Sequence, residues 1–337
     1  MRKAIAFLSF ALLLLAVFDL CLGSVSLPIE AVVRVLCGRA TEADITTQVI
    51  VLNFRLPKLL TALLVGVALP TSGMLMQSLF QTPLAGPYVL GISSGASLGS
   101  AAVLLLGGVT SWVASPLGVS GAAMLGAGGV LLLLLVTSQR TQSRYALLVV
   151  GMLLSVACAA VVTLLQSVSS DQALRSFVVW TMGSLAGVNG VALLCLALAT
   201  FLGWGVAWSS ARRLNLLQLG LSHAASLGLD IRTTYALLFL ATGVLAGGTT
   251  AFCGPIGFVG IAIPYLARRL FATADHRRLL LLTPLLGACG MVGVDLLGSL
   301  LGRWGVLPLN AMTAVLGIPV VLQMVLGKKR GVGTTTD

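Results

Sequence analysis

The sequence predicts an all-α, polytopic membrane protein of about ten spans, and three observations carry that prediction. Only 9% of the 337 residues are charged, against about 25% in soluble domains. Hydrophobic residues make up 58% of the chain, and its mean hydropathy is +1.07. The apolar residues come in blocks about 20 residues long with short polar joints, the length an α-helix needs to cross a hydrocarbon core about 30 Å thick. Too little charge remains to cover a water-facing surface, so a soluble enzyme is excluded. A membrane β-barrel is excluded too, because its strands alternate apolar and polar residues.

In order, the spans are expected at 4–22, 59–79, 88–107, 117–137, 145–166, 191–208, 233–251, 256–271, 279–300 and 309–326. The first follows Arg2 and Lys3 and resembles a signal sequence, but Asp19 sits where a cleavage region is small and neutral. It is therefore read as a retained span, and Asp19 and Leu20 make Cys21 a poor lipidation site. The second starts beside Pro57 and Lys58, and the joint between the fourth and fifth holds Arg140 and Arg144. Arg212, Arg213 and Arg232 mark the joint after the sixth, Arg268, Arg269, Arg277 and Arg278 the joint after the eighth, and Lys328, Lys329 and Arg330 follow the tenth. With the N-terminus in the cytoplasm, 14 of the 20 basic residues lie inside and six outside, as the positive-inside preference requires. Both termini are thus expected in the cytoplasm. The net charge of +11 is accounted for by these joints, and no nucleic-acid partner is expected.

Residues able to do chemistry are few. A phosphate-cradling loop needs Gly-Lys followed by Ser or Thr, whereas the four lysines precede Ala4, Leu59, Lys329 and Arg330. The chain is not itself a P-loop ATPase. The six cysteines contain no CxxC pair and lie mostly inside spans, where cysteine acts as a small hydrophobe; a Cys37–Cys253 bridge stays open. No metal site, cofactor or catalytic residue is expected. His223 and His276 fall in cytoplasmic joints and are read as solvated. Asp19 and Asp295 are the only acids within the expected spans. An ion-driven carrier usually holds ionisable groups in the membrane, but Asp295 lies near a helix end, where bonding to nearby backbone or hydroxyl groups is the simpler role.

Two stretches break the helical pattern: YVLGISSGASLG at 88–99 and CGPIGFVGIAIP at 253–264. Such breaks free backbone groups that protein or water in a cavity must satisfy, and paired broken segments in two halves of a chain suggest a transporter. Small residues also permit close helix packing, and both readings hold together. The longest cytoplasmic joint, 209–232, carries Leu214, Leu217, Leu221 and Ala225 at helical spacing, yet Gly220 and Gly228 break it. Two short helices are expected there, with an apolar stripe that must bury against membrane, self or a partner.

The stretch FRLPKLLTALLVGVALPTSGMLMQSLFQTPLAGPYVLGISSGASLG, the joint LNLLQLGLSHAASLGLD, the segment GPIGFVGIAIPYLARRLFATADHRRLL and the ending LPLNAMTAVLGIPVVL together resemble the FecCD-type permeases of bacterial ABC importers, over nearly the whole chain and in order. The resemblance implies a single permease domain over 1–337 with a type II importer fold in the bacterial inner membrane. It also implies a homodimer with the path on its two-fold axis, two ATP-binding cassette ATPase subunits below and a periplasmic substrate-binding protein above. ATPase coupling would fall to the 209–232 segment, at Leu214, Leu217, Gly220, Leu221, His223, Leu227 and Gly228. The path would run along the fifth and tenth helices, at Ser155, Thr163, Gln166, Asn310 and Thr313, with gates at 138–143 and in the short segment after Arg175. Binding-protein docking would fall to Arg55, Lys58 and Arg303. The chain departs from the family pattern at Thr82, Gly86, Gly220–Leu221–Ser222 and Val306–Leu307, which blurs the substrate. The expected cargo is an iron complex, a ferric siderophore or haem, with cobalamin as the nearest alternative. An ion-coupled secondary carrier is the alternative from another class, and an intramembrane enzyme has no paired acids or metal-ligand spacing behind it.

Overall fold

The computed structural model describes residues 2–23, 27–39, 44–106, 115–141, 143–301 and 307–327. Along the chain run α1 (Arg2–Cys21), the short α2 (Ile29–Leu36) and α3 (Ile45–Ile50), then a π-helical turn (Val51–Arg55) that leads into α4 (Leu56–Phe80). A 3-10 turn (Pro87–Leu90) precedes α5 (Ile92–Leu105), α6 (Pro116–Arg140), α7 (Arg144–Ser167), α8 (Asp171–Thr181) and α9 (Gly190–Ser209). Two short helices follow, α10 (Ala211–Leu217) and α11 (Leu221–Ser226), then α12 (Ile231–Thr242), a π-helical turn (Gly243–Gly247) and α13 (Gly248–Cys253). The chain continues with α14 (Val259–Phe271), α15 (His276–Leu301) and α16 (Leu309–Gly327).

Among the described residues, eight helical stretches are long and apolar enough to cross a membrane, and they match eight of the ten expected spans. The other two are shorter than expected. The helices α5 and α14 have 14 and 13 residues, or about 20 Å at 1.5 Å per residue, less than a hydrocarbon core about 30 Å thick. These are the two segments that the sequence marks as broken. The chain turns into α5 through Gly91, at φ 75°, and into α14 through Gly254, at φ 73°, and Phe258, at φ 64°. Left-handed backbone costs glycine little and a side-chain-bearing residue more, so Phe258 is held there by its surroundings.

The long helices form an inner and an outer group. Within their most apolar windows α4 is 78% buried, the α12–α13 stretch 67% and α15 61%, against 22% for each of α1, α7, α9 and α16. Small residues bring the inner group together. A Cβ at Gly73 of α4 would stand 1.6 Å from the Gly260 carbonyl oxygen of α14, and one at Gly287 of α15 would stand 2.0 Å from the Gly66 carbonyl oxygen of α4. In an apolar solvent helices associate by this close packing rather than by the hydrophobic effect. Pro70 and Pro284 lie inside α4 and α15, which membrane helices tolerate because neighbours satisfy the freed backbone groups.

Because α4 runs 25 residues, its ends lie about 37 Å apart. The π-helical turn before it meets the end of α1 through Arg55, whose Nη1 donates to the Leu20 carbonyl at 2.6 Å. At its other end Gln81 donates to the Leu217 carbonyl of α10 at 2.8 Å. The fold thus has an α2–α3 end and an α10–α11 end. All six cysteines are free, Cys37 exposed and Cys253 buried, so the bridge left open by the sequence is not formed.

Candidate functional site

At the α10–α11 end the segment 209–232 forms the two short helices expected, with Gly220 at φ 94° and Gly228 at φ 82° on either side of α11. Its apolar stripe is divided. Leu214 and Leu217 are fully buried in this chain's own core, which corrects their assignment to an ATPase contact: α10 packs against α4 and α15 and covers them itself. Leu221 is half-buried, His223 and Gly228 are exposed, and Leu219 and Leu227 are 57% and 60% exposed. A cavity of about 900 Å³ lies beside this surface, lined by Phe80, Gln81, Thr82, Ser143, Arg144 and Leu221 among others. Ser143 at the end of the expected inner gate, α11 and the loop after α4 therefore meet around one space, although Gln142 lies outside the described residues.

Beneath α10 is a polar network that the sequence reading missed. His276, read there as solvated, is completely buried. Its Nε2 lies 2.6 Å from Ser78 Oγ, and its Nδ1 lies 2.9 Å from Gln218 Nε2 and 2.8 Å from Asn215 Oδ1. The burial follows from α10 and the residue that ends it, which place the Asn215 and Gln218 amides over the start of α15. Arg268 donates to Gln77 Oε1 at 2.7 Å and to Ser78 Oγ at 3.2 Å. Gln77 in turn donates to the carbonyls of Pro83 at 2.9 Å and Ile261 at 3.1 Å. Gln77 and Ser78 interrupt an otherwise apolar stretch of α4, which is the signal that could have found them.

Two acids sit at the edges of this surface. Asn215 donates to Asp275 Oδ1 at 2.9 Å, and this bond holds the Asp275 carboxyl below its ordinary range. Asp230 caps α12 by accepting from Arg232 N at 3.0 Å and Thr233 N at 3.3 Å. The hydrogen bond from the Thr233 hydroxyl holds its carboxyl low as well.

Along the expected path, Ser155 and Thr163 of α7 each donate to the carbonyl one turn back, Gly151 and Ala159, at 3.0 Å. Thr163 is exposed and Gln166 half-buried. On α16, Thr313 is buried and donates to the Asn310 carbonyl at 3.0 Å. Asn310 has a larger structural role than its type suggests. Its Oδ1 accepts from Gly257 N at 3.0 Å, and its backbone N–H bonds the Met182 carbonyl at 3.1 Å. Ser184 N donates to the Cys253 carbonyl at 2.9 Å. The turn after α8, the break before α14 and the start of α16 are thereby tied together, next to the outer gate expected after Arg175.

At the α2–α3 end, Lys58 forms an ion pair with Asp295 at 2.8 Å and donates to Ser299 Oγ at 3.1 Å. Asp19, Arg55, Lys58 and Asp295 line one cavity of about 360 Å³. Asp295 therefore pairs with a cation, not with the neighbouring backbone or hydroxyl groups expected. Lys58 and Arg55, read as docking groups, are half-buried and bonded within the chain, because the end of α1 and the end of α15 close over them. Arg303 lies outside the described residues.

The family model of the FecCD transport family matches residues 11–327. The vitamin B12 import system permease of Klebsiella pneumoniae is 38% identical over 288 residues, 85% of each chain. The hemin transport system permease of Yersinia pestis is 33% identical over 97% of this chain and 96% of its own. The molybdate import system permease of Haemophilus influenzae is 34% identical over 96% of this chain and 95% of its own. A solved structure described as an inward-facing conformation of a transporter assigned to the metal-chelate ABC type superposes with a TM-score of 0.85. It is 32% identical and covers 97% of this chain and all of that one.

Proposed function

Because the chain belongs to the FecCD transport family, a multi-pass permease of an ABC importer rather than an enzyme, we propose that it forms the path for an iron complex, a ferric siderophore or haem, across the bacterial inner membrane. The single observation that carries this reading is the likeness, at 32% identity over 97% of the chain, to the metal-chelate type transporter. The haemin permease of Yersinia pestis, matched over nearly full length, supports haem within that class. Cobalamin is the second reading, favoured by the 38% identity to the Klebsiella permease. An ion-coupled carrier is displaced by family membership.

In this reading two copies of the chain face each other across the path, with both termini in the cytoplasm, two ATPase subunits on the α10–α11 end and a substrate-binding protein on the α2–α3 end. Ser155, Thr163, Gln166, Asn310 and Thr313 contribute mild polar groups to helices otherwise apolar. Such a lining offers few strong ligands to trap a bulky complex. The 14-to-6 division of basic residues supports the orientation. ATPase docking rests on Leu221, His223 and Leu227 with Gly220 and Gly228 shaping α11, and Leu219 adds an exposed apolar group.

The cargo is tested by reconstituting the permease with the ATPase and binding protein of its host in proteoliposomes. ATP-dependent uptake is then measured for haemin, ferric siderophores, cobalamin and molybdate. Uptake of haemin or a ferric siderophore is the expected result, and uptake of cobalamin or molybdate alone would overturn the iron assignment. The docking face is tested in the same preparation: Leu227→Glu with Leu219→Glu should release the ATPase from a folded permease. Leu217→Glu should instead prevent folding, because an unpaired charge in an apolar interior costs several kcal/mol, on the order of the penalties for unpaired buried polar groups or more.

A further inference from the structure

The buried network under α10 reaches further than packing requires. From Asn215 and Gln218 it passes through His276 to Ser78, then through Arg268 to Gln77, and ends on the carbonyls of Pro83 and Ile261. One end is the helix beside the docking surface. The other holds the loop that lines the 900 Å³ cavity and the first turn of the short helix α14. Among the described residues no carboxylate pairs with Arg268, so its partners in the network are neutral and exchangeable.

The protons in this network have two arrangements, each of which satisfies one of the two amides at His276 Nδ1. In the first, His276 Nδ1–H donates to Asn215 Oδ1, and the Ser78 hydroxyl donates to Nε2. In the second, Gln218 Nε2 donates to Nδ1, Nε2–H donates to Ser78, and Ser78 donates to the Met74 carbonyl, 2.8 Å away. A neutral imidazole has one donor and one acceptor nitrogen, and a hydroxyl rotates to suit. The first arrangement therefore sets a Gln218 N–H against Nδ1–H, the second sets Asn215 Oδ1 against the Nδ1 lone pair, and each favours withdrawal of the amide it does not use. Ser78 accepts from Arg268 in either. His276 Nδ1 therefore bonds Asn215 of α10 in one state and Gln218, just beyond α10, in the other, while the His276 backbone N–H keeps Asn215 Oδ1 at 2.9 Å and Gln218 keeps the Ala274 carbonyl at 2.8 Å in both. A small displacement of α10 that favours one amide switches both protons, and the other amide keeps its second bond. An element with two discrete arrangements is the physical requirement for carrying energy between sites.

We propose that Gln77, Ser78, Arg268 and His276 are positioning residues of the transport step: they convey the placement of α10 and α11 to the loop after α4 and to the broken start of α14. The proposal rests on the reading of the α10–α11 surface as the ATPase dock, and its test separates the two. A Thr82→Cys reporter is placed in the full chain, with the exposed Cys37 and Cys195 changed to serine. The complex is purified with the ATPase from its host, and maleimide labelling is followed without nucleotide and with ATP plus vanadate. The expected result is a nucleotide response of several-fold in the reporter chain, lost in His276→Ala and in Arg268→Ala although the ATPase still co-purifies. His276→Asn, which keeps one donor and one acceptor, should recover part of it. Gln218→Ala, at an exposed side chain, should reduce the response if His276→Ala does not accumulate. An ATPase that does not co-purify with the reporter chain overturns the docking reading, and a reporter chain that binds it without responding overturns the relay. A response equal in all variants overturns the relay alone, and so does loss of the ATPase from the Arg268 and His276 variants, which would place them in the dock itself.

Discussion

At the α2–α3 end, Lys58 meets Asp295 at 2.8 Å and Arg55 donates to the Leu20 carbonyl at 2.6 Å, with Asp19 lining the same cavity. At the α10–α11 end, His276, Ser78, Gln77, Asn215 and Gln218 are neutral groups around one cation, Arg268. The first cluster balances two acids with two bases and fastens the ends of α1 and α15 to the start of α4. Separating such a pair leaves a buried charge behind, so the arrangement is fixed. Neutral hydrogen bonds are worth about 0.5–1.5 kcal/mol each and exchange partners readily. One end of this bundle is thus built to stay closed around its polar groups, while the other can rearrange them.

Breaking the fixed end should give the largest effect. Asp295→Ala leaves Lys58 without its nearest counter-charge, and because the Lys58 side chain keeps 28% exposure the loss should fall below the about 3–5 kcal/mol of a fully buried pair. The detergent-solubilised chain should unfold at a much lower temperature or fail to accumulate. Lys58→Met combined with Asp295→Leu should recover most of that loss, since a well-packed apolar pair replaces both charges. If the single variant melts like the natural chain, the cluster is not a clasp.

A smaller loss is expected from Ser78→Ala at the exchangeable end. It removes the hub between His276 and Arg268, and leaving a buried group unsatisfied costs about 1–3 kcal/mol. Thermal unfolding should shift modestly while ATP-dependent transport falls by more than the shift explains. A proportionate loss of both would make the two ends alike.

The smallest effects belong to the exposed acids and bases. Arg278 and Asp275 pair at 3.7 Å with side chains 59% and 40% exposed, and Arg278→Ala should leave the unfolding temperature within error, as exposed pairs contribute little. Asp275, held low by Asn215, contributes fully above the ordinary carboxylate value and loses that contribution only as pH falls through its lower folded-state value. Lowering the pH from about 7 to about 5 should thus leave the nucleotide response of the Thr82→Cys reporter unchanged. A response that fades in that interval would assign the titration to another group.

Some of the site was legible in residue order. The glycines at 220 and 228 marked the ends of α11, and the two broken segments at 88–99 and 253–264 became the turns into α5 and α14. Leu214 and Leu217 misled, because helical spacing says that a stripe is buried without saying against what. His276 misled for a related reason: its place in a charged joint suggested water, and only the lid formed by α10 removes it.

Local composition determined the spans, because a block of apolar residues long enough to cross a bilayer has one favourable conformation, a helix that satisfies its own backbone. It also determined the orientation expected from basic joints and the positions of the breaks, each a property of neighbours in the chain. Which polar residues meet was decided only by tertiary structure. Ser78 and His276 are separated by 198 positions and Gln77 and Arg268 by 191. They are brought together by the packing of α4 against α14 and α15 through glycine backbones. No periodicity within a single segment encodes that approach, since the depth and rotation of one helix against another depend on the surfaces of both.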